Sequence, residues 1–206
     1  VTKLKMESIR NRVSPHFIFN VLNQEVVNRK EEEKQELVSL VKLMRRNLEL
    51  AEQLCVTLAE ELDFVKTYID LERRSLGATF HPVIEIAGDV LSEQVWLPSM
   101  MIQIPVENSV KHALRGKEGE RNLWIAADRR EGGVCIRITD NGGGYHPESR
   151  NRGTGTGMKV IMQTIQILNM KNQAAIDISV HNVTLPSGET GCEVTFLLPD
   201  KYDYRI

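Results

Sequence analysis

Between residues 4 and 76 the apolar positions return every three to four residues, as at Leu37, Leu40, Val41, Met44 and Leu48, which is the spacing of one helix face. No glycine occurs before Gly77, and Pro15 is the single proline of this stretch, so the first third is predicted to be helical. The charged run at residues 29–36 has no apolar stripe and reads as the turn between two long helices, giving an antiparallel hairpin. Thr57 and Glu60 have the spacing of a capping box. They open a third helix through Phe64, Tyr68 and Leu71 that ends near Gly77.

The period then changes. Val83, Ile84 and Ile86, followed by residues 123–127, 134–138, 176–180 and 194–198, form short apolar or alternating runs of strand length. Helical patterns at residues 98–114 and 157–171 lie among them, and glycines gather at 142–144 and 153–157. The expectation is an α+β chain with a helical region over residues 1–77 and an α/β unit over residues 78–206, a division that suits a chain of 206 residues.

Composition adds limits. Apolar residues make up 41% and charged residues 26%, enough for packed cores and unlike a disordered chain. The 26 basic and 28 acidic residues are well mixed, with a net charge of −2, so no polybasic field points to nucleic acid. Cys55, Cys135 and Cys192 are far apart in sequence and suggest neither a disulfide framework nor a zinc site; a reducing compartment fits. No apolar run approaches the roughly 20 residues that cross a bilayer. Because the chain opens at Val1 directly in a helical pattern, an upstream region carrying a membrane anchor is expected to be missing. Trp96, Trp124, Met100, Met101, Met158 and Met162 are expected to pack, and His81, His146 and His181 to lie on the surface without a role.

The candidate chemistry lies in three places. Asn108, Lys111 and His112 fall on one helix face behind Glu107; an amide oxygen suits Mg²⁺ and a lysine suits phosphate oxygens. Asp140 ends the strand 134–139 and leads into Gly142, Gly143 and Gly144, where a carboxylate can accept from an adenine amino group and glycine lets a ligand approach the backbone. Gly153, Gly155 and Gly157 open the next helix, whose free N–H groups suit phosphates. A solvated face or an ordinary glycine turn would explain any one of these motifs, but the ordered set calls for a nucleotide. No Lys-Ser or Lys-Thr pair follows the glycines, and their spacing lacks the dinucleotide fingerprint.

The set resembles the N, G1 and G2 boxes of the GHKL ATP-binding fold shared by histidine kinases, gyrase, Hsp90 and MutL. Upstream, residues 14–20 (Ser-Pro-His-Phe-Ile-Phe-Asn) resemble the phosphoacceptor box of LytS-like sensor histidine kinases, and residues 58–73 are similar to that family's stretch between the boxes. The resemblance implies an N-terminal helical hairpin, paired as a dimeric four-helix bundle, followed by a GHKL (Bergerat-type) α/β sandwich. It implies ATP and Mg²⁺ as ligands, with Asn108 on the metal and Asn108, Lys111, His112, Asp140 and the glycines about the nucleotide. His16 would be the phosphoacceptor, Asn20 its neighbour one turn on, and Glu107 the candidate base. The implied partners are a second copy of the chain and a response regulator receiver domain, in the cytoplasmic portion of a bacterial inner-membrane sensor.

The sequence departs from the family in three places. Cys192 follows Gly191 where a threonine is usual, residues 160–164 lack the customary Asn and Arg-Leu, and Pro105 stands one position late. A nucleotide-binding scaffold without kinase activity, or a GHKL ATPase, would also accommodate the downstream boxes.

Overall fold

The computed structural model describes residues 53–145 and 154–205. The expected hairpin with His16 and Asn20, its pairing into a bundle, Gly153 and most of the polar loop before it lie outside the described residues. In chain order the elements are β1 (Cys55–Thr57), α1 (Leu58–Leu76), β2 (Phe80–Ile86), β3 (Trp96–Pro98), α2 (Gln103–Asn108), β4 (Arg121–Arg130), β5 (Gly133–Asp140), α3 (Thr154–Asn169), β6 (Asp177–Thr184) and β7 (Thr190–Pro199). A single π turn, Ser109–Leu114, continues α2.

Five strands make one mixed sheet in the order β2-β4-β5-β7-β6, with β2 parallel to β4 and the other pairs antiparallel. A parallel pair cannot be closed by a hairpin, and its long connection carries β3 and α2. Period-two alternation turns Leu123, Ile125, Ile136, Ile138, Val194, Phe196 and Leu198 to the helical side, all of them buried. Leu58, Leu62, Val65 and Ile69 of α1 cover that face together with Val106, Val110 and Leu114 of the α2 segment and Ile161, Ile165 and Leu168 of α3. The opposite face is polar: Arg137 bonds Asp128 at 2.8 Å and Thr139 Oγ1 donates to Glu193 at 2.9 Å. This is a two-layer α/β sandwich with one wet sheet face.

The capping box forms in full. Thr57 Oγ1 accepts from the N–H of Glu60 at 3.2 Å, and Glu60 Oε2 accepts from the N–H of Thr57 at 2.9 Å. The helix stops at Gly77, whose φ of 74° no ordinary residue adopts cheaply.

Several expectations change. Residues 55–57 form a strand paired with β3 inside the stretch read as helical. Across residue 77 the apolar packing is continuous, α1 sharing one core with the sheet. The segment 98–114 is not one α-helix: it opens as strand, becomes α-helical at Gln103 and widens into the π turn, where Arg115 N–H donates to Val110 O at 2.9 Å. Trp96 is 48% exposed, since among the described residues β3 pairs only with β1, and Met162 is 46% exposed on the outer side of α3. Met101 is fully buried as expected.

Candidate functional site

Asp140 stands at the end of the central strand β5, 2% exposed. Its Oδ2 accepts from Ser109 Oγ at 2.7 Å and its Oδ1 from the N–H of Gly142 at 2.9 Å. Burial raises its pKa, opposed by the Ser109 hydroxyl and by the backbone N–H groups of Gly142 and Cys192. Each carboxylate oxygen keeps acceptor capacity beyond these bonds.

The neighbouring residues fix this geometry. Asn141, 1% exposed, accepts from Asn122 N–H at 2.8 Å and donates to Glu120 O at 3.0 Å and Glu189 at 3.1 Å. Gly142 abuts the π turn so closely that a Cβ there would lie 2.3 Å from the Ala113 methyl. Past Gly144, the N–H of Tyr145 donates to Asn182 Oδ1 at 2.6 Å, anchoring the start of the polar loop to β6.

On the helix, Asn108 is half-buried while Lys111 and His112 are exposed. The Glu107 carboxylate accepts from Gln103 Nε2 and from Lys111 Nζ, each at 2.8 Å. An i,i+4 pair of this exposure is weak, so the ammonium is free to exchange Glu107 for a phosphate. Gly155 lies in the first turn of α3, and at Gly157 a Cβ would meet Ile104 Cγ2 at 2.8 Å. The start of α3 is thereby seated on the start of α2. Cys192 lies beside Asp140: burial, then the charges of Asp140 and Glu193, push its thiol up to about 12, so the group stays protonated.

The structure therefore brings Asp140, Gly142 and the helix of Asn108 together and places Gly157 against that same helix. Sequence reasoning missed Ser109, Ala113, Ile104 and Gln103. A buried carboxylate requires a donor, and a serine and an alanine one helical turn apart beside Asn108 are the signal that a strand end approaches there.

Residues 4–80 match the histidine kinase family, and residues 97–202 match the histidine kinase-, DNA gyrase B- and HSP90-like ATPase family. The chain belongs to that ATPase family and, within it, to the LytS-like histidine kinases. It is 30% identical over 168 residues to the sensor protein LytS of Enterococcus faecalis, covering 75% of this chain and 28% of that protein. To LytS of Bacillus subtilis it is 29% identical over 210 residues, covering 95% and 34%. The chain thus spans about a third of the length of these relatives. The histidine kinase domain from the Erythrobacter litoralis blue-light activated histidine kinase shares the fold at 12% identity, with a TM-score of 0.50 over 96% of this chain and 92% of that one.

Proposed function

We propose that this chain is the kinase core of a two-component sensor, binding ATP with Mg²⁺, phosphorylating its own His16 and passing the phosphoryl group to an aspartate of a receiver domain. The observation that carries this reading is the buried Asp140 carboxylate, held between Ser109 and the Gly142 N–H at the mouth of the sheet. It would accept from the adenine amino group. Gly142 lets the helix of Asn108 close on the strand end that carries Asp140, and Gly144, with a positive φ, turns the chain away from it. Asn108 would present its amide oxygen to Mg²⁺, which neutralises phosphate charge and is held largely by phosphates and water rather than by protein. Lys111 would leave Glu107 for the phosphate oxygens, with His112 beside it, while the N–H groups of residues 153–157 cradle the chain of phosphates.

The neutral imidazole of His16 has the lone pair for in-line attack on the γ-phosphorus. A P–N bond forms, the bond to the β-phosphate oxygen breaks, and ADP leaves. Glu107, relieved of Lys111, would take the imidazole proton, and Asn20 would orient the ring one turn away. Apolar stripes in the helical region 1–77 would pair two copies as a homodimer, and an upstream segment would anchor the sensor to the membrane.

Incubation with γ-labelled ATP and Mg²⁺ tests the reading. Acid-labile, alkali-stable label that disappears in His16→Gln is expected, with ATP binding lost in Asp140→Asn. Stoichiometric ATP binding without label would leave a nucleotide-binding scaffold, and sustained phosphate release independent of His16 would make the chain an ATPase.

A further inference from the structure

The helix bearing Glu107, Asn108 and Lys111 has no local cap: its N-cap residue is Ile102, which has no side-chain acceptor to offer. The cap comes from another element. Glu61 of α1, fully buried, accepts from the N–H groups of Ile102 and Gln103 with Oε1, each at 3.0 Å, and from Met100 with Oε2 at 3.1 Å. These are N–H groups that the first turn cannot satisfy by itself, and a carboxylate there also meets the positive end of the helix. Met100 has a φ of 69°, a left-handed conformation that a side-chain-bearing residue keeps only when its surroundings enforce it.

The other end is held from the same helix. Glu72, 9% exposed, accepts from Arg115 Nη2 at 2.5 Å, and Arg115 directly follows the π turn. Glu61 and Glu72 lie about three helical turns apart and so on one face of α1. Between them is Tyr68, whose hydroxyl pKa is raised by burial and by the carboxylates of Glu72 and Glu107. The two helices run in the same direction and are tied at both ends.

We propose that Glu61 and Glu72 are positioning residues for the phosphate and Mg²⁺ end of the nucleotide site, bracing both ends of one helix so that Glu107, Asn108 and Lys111 are presented at a set height and rotation. This rests on the nucleotide reading above and deepens it: alignment of the phosphate end is imposed by α1, the element that leads back along the chain toward His16. Asp140 and the adenine end are fixed separately, by the sheet.

Glu61→Gln and Arg115→Ala in the full chain test it by two measurements. The first is amide hydrogen exchange over residues 102–115 without nucleotide, and the second is ATP affinity by calorimetry with Mg²⁺ and with chelator. Both variants are expected to exchange faster over that segment. Glu61→Gln is expected to lose about tenfold of the affinity gained from Mg²⁺, the usual effect of removing a group that orients a ligand to a metal, while affinity in chelator, which keeps the Asp140 contact, falls less. If Glu61→Gln fails to fold, Arg115→Ala, altered at a half-exposed guanidinium, decides. Folded variants with the Mg²⁺ gain intact, or with both affinities reduced equally, would overturn the proposal. An unaltered chain that binds no ATP would instead overturn the nucleotide reading, and this inference with it.

Discussion

Ser109 and Asp140 are joined by a hydrogen bond of 2.7 Å between hydroxyl and carboxylate, which ties the helix of Asn108 to the end of β5 inside the site. Ser109→Ala leaves a buried carboxylate one donor short. A loss of about 1–3 kcal/mol in stability is expected, together with weaker ATP binding, and Ser109→Thr should restore both. Urea unfolding and calorimetry measure the pair, and an alanine variant equal to the unaltered chain in both would refute the bond's importance.

The two glycine contacts differ in how much they can yield. At Gly142 an added methyl meets the Ala113 methyl at 2.3 Å and Ala113 backbone at 2.8 Å. Gly142→Ala should therefore cost about 1–3 kcal/mol through overpacking and move the strand end away from the helix. At Gly157 the obstacle is a side-chain methyl of Ile104 at 2.8 Å. Gly157→Ala should be milder, and adding Ile104→Ala, which removes that methyl, should relieve the overlap. Thermal unfolding of the three variants checks the order.

Burial lifts the Glu61 carboxyl from its ordinary 4.5 to about 7, against the lowering effect of the Gln103, Met100 and Ile102 N–H bonds. Between pH 4.5 and about 7 the folded chain therefore holds a proton that the unfolded chain has released, and above that range the group is the ionised carboxylate. The associated stability is fully present below pH 4.5 and is lost as pH rises through about 7. Relative to Glu61→Gln, the unaltered chain should lose stability across that window and run parallel above it. Melting curves from pH 4.5 to 8 on both proteins provide the comparison, and parallel curves throughout would contradict the shift.

Cys192 places a protonated thiol, a poor hydrogen-bonding group, beside Asp140. Cys192→Thr places a hydroxyl in its stead and is expected to improve ATP affinity by about 0.5–1.5 kcal/mol, the net value of one ordinary hydrogen bond. Titration of ATP into both proteins is sufficient, and equal or weaker binding by the threonine variant would exclude a contact at this position.

Much of the fold was legible because it is written in local periods. The strands around Ile125, Ile136 and Phe196 alternate or run apolar, and α1 announces itself through the Thr57 and Glu60 box. Asp140 and Gly142 were legible as a strand end followed by glycine. What escaped was non-local. The three-residue strand at Cys55 is too short to show a period, and a positive φ at Met100 has no signature in a residue other than glycine. The cap on α2 comes from Glu61 in another helix, so the sequence near Ile102 could not reveal where that helix begins. Ser109 gained its meaning only when the sheet brought Asp140 to it.

The shared core of α1 and the sheet changes where this protein can be divided. A cut near Gly77 follows the change in sequence texture but strips the sheet of Leu62, Val65 and Ile69 and removes Glu61 from the N–H groups it satisfies. A break there would leave the apolar face of the sheet short of the side chains that cover it. A fragment that keeps this core intact therefore starts upstream of Thr57, and α1 belongs to the α/β layer as much as to the helical stretch of sequence before it.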